Sequence, residues 1–238
     1  MSAGRAAAPG GPYPAPYSQT LDRGLRVLEA LAEAECHLTV TALAETLGLH
    51  RSIAYRIVRT LEDHRLVRRR PDGSFELGYG LSVLSRGVTP TLQSAATPEL
   101  ADLANDLGMT AFLAVADRDE CVTLLSVEPR HSHAHVAYRP GARHPIDRGA
   151  PGLALLAAGP FTPGERAEVT IARQSGFASS RGEVLRGMSA VAAPVLAPNV
   201  TAAVAVVFVD GHLDGHTDEG LIGQRVQAAA RAVAAELT

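Results

Sequence analysis

Two amphipathic stretches parted by a single glycine constrain this chain more than any other feature. In "LTVTALAETLGLHRSIAYRIVRTLEDHRLV", residues 38–67, Leu43 and Leu47 give a first helix its apolar side, and Thr39 or Thr41 can cap it. Gly48 falls where that helix must end, because glycine takes a left-handed turn without a Cβ clash. A second helix starts near His50 or Arg51, with Ile53, Ile57, Val58 and Leu61 as its buried stripe. Two helices joined by a tight glycine turn form a helix-turn-helix, whose second helix enters the DNA major groove. Upstream, "LDRGLRVLEALAEAE" sets Leu21, Leu25, Leu28 and Leu31, with Val27, on one helical face. Downstream, "LVRRRPDGSFEL" reads as strand, Asp-Gly turn, strand: a small hairpin, or wing.

Charge follows the same plan. Residues 49–70 hold seven arginines against two acids, Glu62 and Asp63, in a chain of formal net charge −3. Arg51, Ser52 and Tyr55 are expected to reach base edges, since Arg pairs bidentately with guanine and Ser is permissive. Arg59 and the wing arginines Arg68, Arg69 and Arg70 are expected on phosphates, which fix register without reading sequence. Arg56 has two readings, a phosphate contact or an intraprotein pair with Glu62 or an acid of the first helix. All the basic side chains are Arg, with no Lys in the chain. Arg forks well onto phosphates and guanine edges.

At 238 residues the chain suits one large domain or two smaller ones, and an apolar fraction of 46% supports sizeable cores. Cys36 and Cys121 form no motif, which suggests a reducing compartment. No apolar run approaches the roughly 18 residues of a membrane helix. The Pro-, Gly- and Ala-rich start lacks a signal-peptide pattern and reads as a disordered tail over residues 1–18. These features point to a cytoplasmic protein with no membrane partner.

The C-terminal part alternates differently. "TPELADLANDLG" is amphipathic through Leu100, Leu103 and Leu107, with Thr97 as N-cap, Pro98 at the first helical position and Gly108 at the end. "MTAFLAVAD" and "ECVTLLSVEP" read as strands joined by the charged turn "DRDE", and "HSHAHVAYRPG" as a third. "GAPGLALLAAG" and "GERAEVTIARQSG" read as helices, "GMSAVAAPVL" and "TAAVAVVFVD" as apolar strands, and "DEGLIGQRVQAAARAVAAEL" as a closing helix. An antiparallel sheet flanked by helices makes this an α+β sensor-like domain.

The motifs "LDRGLRVLEAL", residues 38–67, "FELGYGLSVLSRG", "RHPIDRGAPGLALLA" and "SGFASSRGEVLRGMSAVAAPVL" together resemble the IclR family of bacterial transcription regulators, from about Ser18 to the end. The resemblance implies a winged helix-turn-helix over residues 19–78, a linker helix over 79–90, and a GAF-like effector-binding and oligomerisation domain over 91–238. It implies a homodimer or homotetramer that binds double-stranded operator DNA and answers to a small-molecule effector, most often as a repressor. The linker, "YGLSVLSRG", has Leu81, Val83 and Leu84 as an apolar face suited to a dimer contact. Carried over by the motifs, the effector site takes in Ala150, Pro151, Ser180, Ala190, Ala205 and Val207. Glu183 and Gly187 match a turn that shapes it.

Family members that bind small organic acids place polar groups at these positions, where this chain has mostly Ala, Pro and Val. A compact anion needs convergent donors, because burying an unpaired charge is costly. The expected effector is therefore apolar or aromatic, if the small residues do not simply pack a core. The segment around residues 160–173 is shorter than the resemblance implies, and Leu153 stands where a basic residue is usual.

Other chemistries have less behind them. His131, His133 and His135 would share one face of a strand, with Glu128 and His144 near enough in sequence to contribute, but no Cys or paired carboxylate completes a metal set. Ser189, Glu183 and the histidines fit no pattern that fixes a nucleophile beside a base, and no phosphate-binding glycine loop is present. The sequence asks for no catalytic residues, metal or cofactor. A DNA-binding protein without an effector response is the remaining alternative.

Overall fold

The computed structural model describes residues 18–34, 36–131, 136–211 and 218–238. Apart from Ser18, the expected N-terminal tail lies outside them. The chain divides into two compact units, one ending at Val88 and the other beginning at Thr89.

The first unit contains α1 (Gln19–Glu33), α2 (Val40–Leu47), α3 (Arg51–Asp63), the two-stranded hairpin β1 (Val67–Arg69) and β2 (Phe75–Leu77), and the short α4 (Gly80–Ser85). Ser18 caps α1 and Thr39 caps α2, their hydroxyl oxygens accepting from Leu21 N at 3.4 Å and Ala42 N at 3.2 Å. Gly48 ends α2 at φ 63°, so the chain turns at once into α3. Val27, Leu31, Leu43, Ile57, Val58, Val67 and Phe75 close a core between the helices and the hairpin. The face of α1 differs from the expected one. Gly24, Val27 and Leu31 are its buried line, while Leu21 and Leu25 are 63% and 51% exposed. At about 100° per residue, Gly24, Val27 and Leu31 cluster on one side and Leu21 and Leu25 fall well away from it. Gly24 lies on the buried side facing Ile57, where a Cβ would find ordinary contact at 3.9 Å.

The second unit contains α5 (Pro90–Leu107), β3 (Thr110–Asp117), β4 (Glu120–Val127), β5 (Arg143–Pro145), α6 (Gly149–Ala158), α7 (Ala167–Ser175), β6 (Ala178–Arg181), β7 (Met188–Ala197), β8 (Val200–Val209) and α8 (Glu219–Ala235). The six strands form one antiparallel sheet in the order β5-β4-β3-β8-β7-β6. Side chains alternate across it. Leu113, Val191, Val204 and Val206 face α5 and α8, whereas Phe112, Ala192, Ala203, Ala205 and Val207 face α6 and α7. Burial on both faces explains why β7 and β8 read as nearly continuous apolar runs.

Three expectations need correction. The linker helix expected over residues 79–90 ends at Ser85, and Thr89, at φ 40°, precedes α5. Thr97 is no N-cap: α5 begins at Pro90 and runs through Pro98, and the Thr97 hydroxyl donates to Gln93 O at 2.7 Å. Pro98 has no N–H for the Ser94 carbonyl, but the apolar line Leu92, Ala96, Leu100, Leu103 packs on the sheet and keeps the helix whole. Of the expected strand "HSHAHVAYRPG", residues 132–135 lie outside the described ones and the described remainder forms no strand. The chain joins the sheet at β5 instead.

The α6 helix carries the strictest packing condition. A Cβ on Gly152 would lie 2.1 Å from the Ile146 carbonyl oxygen, a backbone atom that cannot swing aside. Gly152→Ala should destabilise the second unit by about 1–3 kcal/mol, the usual scale for overpacking. Urea unfolding followed on residues 89–238 measures it, and an unchanged midpoint would show that α6 can shift freely.

Candidate nucleic-acid interface and effector cavity

The α3 helix turns Ala54, Ile57 and Val58 into the core, which leaves Arg51, Ser52, Tyr55, Arg56 and Arg59 exposed on the opposite side. Their spacing makes one stripe along the helix. Among the described residues, Arg51, Arg56 and Arg59 have no acidic partner. Arg56 therefore makes neither of the intraprotein pairs considered for it, and it lines a groove between α1 and α3. The helix begins with an unusual cap. The imidazole Nδ1 of His50 accepts from Ser52 N at 3.4 Å and lies 2.9 Å from the Ser52 hydroxyl. That contact orients Ser52 at the leading end of α3.

The wing is less free than its arginines imply. Arg68 sits opposite Glu76 in the hairpin register, and their side chains form an ion pair. Arg70 donates to the second Glu76 carboxylate oxygen at 3.1 Å, and His37 Nδ1 lies 3.8 Å from that oxygen. Burial opposes the charged form of Glu76, but the Arg70 hydrogen bond and the charges of Arg68 and Arg70 outweigh it and hold its pKa below the usual range. The Arg68 guanidinium also lies 4.9 Å from the Tyr79 ring centre. Arg69 has no acid partner among the described residues, and its guanidinium lies 5.9 Å from the Phe75 ring centre. Sequence reasoning missed Glu76 and Tyr79. Glu76 was readable, because closing the hairpin over Asp72-Gly73 sets it across from Arg68.

The second unit holds a cavity between the sheet, the start of α6 and the segment after β6. Pro151, Ser180, Ala190 and Val207 line it, four of the six positions carried over by motif. Ala150 and Ala205 do not. Ala205 is buried beside Phe112, its register partner on β3, and the Ala150 amide donates to the Ser180 hydroxyl oxygen at 2.8 Å. Phe112 and Tyr138 form an aromatic wall with ring centres 4.6 Å apart, and Val184, Leu185 and Met188 cover the cavity. These residues gave no signal in sequence, since their place depends on the sheet register and on a loop path.

One acid organises the cavity rim. Glu183 accepts from Gly149 N at 2.8 Å and holds both terminal nitrogens of Arg166, at 3.1 and 2.9 Å. Arg166 also donates to Asp147 O at 2.7 Å. The Arg166 hydrogen bond lowers the Glu183 pKa, burial opposes it, and the Gly149 amide adds to the lowering. Ser189 donates to Asp210. His133 and His135 lie outside the described residues, and His144, on β5, has Nδ1 3.0 Å from Pro145 O.

Residues 20–71 match the model of the IclR helix-turn-helix domain. The glycerol operon regulatory protein of Streptomyces griseus is 27% identical over 243 residues, covering 92% of this chain and 95% of that protein. The crystal structure of an IclR transcriptional regulator from Alicyclobacillus acidocaldarius superposes with a TM-score of 0.77 at 25% identity, over 93% of this chain and all of that one. The chain is similar to IclR regulators over nearly its whole length, and residues 20–71 form an IclR-type helix-turn-helix domain. It shares with them a DNA-binding type of helix-turn-helix domain followed by an α+β unit. An IclR homologue from Microbacterium hydrocarbonoxydans, complexed with 4-hydroxybenzoate, shares the fold with a TM-score of 0.77 at 22% identity, over 92% of this chain and 99% of that one. No helix among the described residues is long and apolar enough to cross a membrane.

Glu76 sets how much positive charge the wing presents. Glu76→Gln should strengthen binding to any duplex and steepen the dependence of log affinity on log salt by up to about 2, because each phosphate contact contributes a slope near 0.9. Fluorescence anisotropy on a random duplex at several salt concentrations reads both quantities. An unaltered slope would mean that Arg68 and Arg70 face no phosphate.

Proposed function

We propose that the chain is a repressor that grips operator DNA with α3 and the wing and releases it in response to a small apolar or aromatic effector. The observation that carries the DNA reading is the exposed stripe Arg51, Ser52, Tyr55, Arg56 and Arg59, whose arginines have no internal acid among the described residues. Arg51, Ser52 and Tyr55, in the first turns of the recognition helix, read base edges. Arg56, Arg59 and the wing arginines Arg68, Arg69 and Arg70 hold phosphates. A head seated in the major groove denies that groove to other proteins, which is the simplest route to repression. The active form is a homodimer or homotetramer, since a two-fold protein matches palindromic half-sites.

The effector reading has two supports. The cavity lining is mostly aromatic and aliphatic, with His144, Ser180, Glu183 and Ser189 as its polar members, and a fold relative is complexed with 4-hydroxybenzoate. Ala150, Pro151, Ser180, Ala190, Ala205 and Val207 form or underlie the site. To act at all, the effector must bind the DNA-competent and DNA-incompetent states with different affinity.

The test is anisotropy with duplex from the chain's own upstream region against random duplex. Arg51→Ala should cost about 1–3 kcal/mol on the preferred duplex and relax its preference, whereas Arg69→Ala should weaken all duplexes alike and lower the salt slope by about 1. Equal losses on both duplexes for Arg51→Ala would count against base reading. For the effector, Ala190→Trp should fill the cavity, abolish operator release by small aromatics and spare DNA binding in their absence. A retained response would place the ligand elsewhere.

A further inference from the structure

The effector reading leaves one problem of space. The cavity as it stands encloses about 30 Å³. That is room for about one water, whereas a dry cavity that takes benzene measures about 150 Å³. A ring-sized ligand therefore requires a wall to move. The sheet and α6 are poor candidates, since Phe112, Ala150, Leu153, Ala205 and Val207 are buried core. The segment Gly182–Gly187 is different. It roofs the cavity with Val184 and Leu185, which remain 39% and 42% exposed. A glycine stands at each end, Gly182 at φ 65° and Gly187 at φ 75°, with open space where either Cβ would point. Backbone bonds tie the two ends, Gly182 N donating to Met188 O at 2.8 Å and Asp210 N to Gly187 O at 2.9 Å, and Leu185 O accepts from Met188 N at 3.2 Å.

Side-chain contacts pin the roof at two adjacent residues. Glu183 holds Gly149 N and Arg166, as described above. Val184 rests directly on Gly149, where a Cβ would come within 2.7 Å of its Cγ2. The same contacts use up the donors that an anionic ligand would need. At the start of α6, the Gly149 amide already serves Glu183 and the Ala150 amide serves Ser180. A ligand carboxylate would arrive beside the Glu183 carboxylate with no free backbone donor there. An uncharged ring needs neither amide and can stack on Phe112 and Tyr138.

We propose that Gly182–Gly187 is a lid latched by Glu183 on Arg166 and the α6 amide, and that this latch makes the site select uncharged aromatic molecules over the corresponding carboxylates. The proposal rests on the effector reading for its ligand and on the described geometry for its latch. Breaking the latch frees the lid without ligand, and neutralising Glu183 admits the anion.

The experiment uses the full chain, with circular dichroism to confirm that each variant folds. Hydrogen–deuterium exchange on ligand-free protein should speed up by about tenfold in peptides covering 182–187 for both Glu183→Gln and Arg166→Gln, with the sheet unchanged. Calorimetric titration should show wild type binding 4-hydroxybenzyl alcohol about tenfold more tightly than 4-hydroxybenzoate. Glu183→Gln should narrow that gap by gaining affinity for the carboxylate. Unchanged lid exchange in both variants overturns the latch. A wild type that prefers the carboxylate, or a preference untouched by Glu183→Gln, overturns the selection. If lid exchange accelerates but neither compound binds any form, the selection falls together with the effector reading while the latch stands.

Discussion

The second unit depends on how the first amides of α6 are satisfied. A helix N-terminus leaves donors with no partner inside the helix and gathers partial positive charge. Here those donors face a cavity lined largely by apolar side chains, where an unpaired N–H is costly. The chain answers with its own side chains: Glu183 takes Gly149, Ser180 takes Ala150, and Arg166 completes the charge balance on Glu183. The other end of α6 is held in the same manner. Arg173 donates to Ala157 O at 2.7 Å and to Gly159 O, and is itself paired with Glu165 at 3.0 Å. Arg166 and Arg173, at the two ends of the α7 segment, thus bracket α6 and fix the floor on which the lid rests.

The DNA-binding unit uses a related device for another purpose. Glu76 holds Arg68 and Arg70 as Glu183 holds Arg166. A partly exposed network of this kind adds modest stability, because water and salt still reach its arginines. Its effect is on charge available to a partner. A phosphate must compete with Glu76 for two of the three wing arginines, while Arg69 and the α3 stripe stand ready. Part of the wing's grip is therefore conditional on rearrangement, and the steady part comes from α3.

Much of this was legible in the sequence where one period or one residue type decided the outcome. The α2–α3 turn followed from Gly48, the exposed face of α3 from the spacing of Ile57 and Val58, and the long strands from unbroken apolar runs. The α1 helix was harder, because leucine is not buried by being leucine. Gly24 lies on the core side with Val27 and Leu31, while Leu21 and Leu25 are turned outward. The Thr-Pro pair in α5 misled for a related reason. Its local chemistry favours a helix start, and tertiary packing of Leu92 and Ala96 overrides it. Within the cavity, positions on the α6-facing side of β7 and β8 could be placed by alternation alone. Tyr138, Val184 and Leu185 could not, because loops carry no period, and Arg166 could not, because its role depends on where Glu183 ends up.

The closed cavity bears on how a ligand could control the protein. A ligand that binds both functional states equally shifts nothing. A site shut by its own latch binds only after opening, so its apparent affinity is reduced by the fraction of open molecules. That reduction is also what makes the site informative, since the ligand stabilises an arrangement that the unliganded chain disfavours. Glu183 lies where the two effects meet. It closes the roof, satisfies the α6 amide and sets the charge that an incoming molecule encounters, so its bonds weigh on affinity, selectivity and response together. A stronger latch would sharpen selectivity but leave the site unfilled at ordinary ligand concentrations. A weaker one would let the cavity fill without distinguishing the two states.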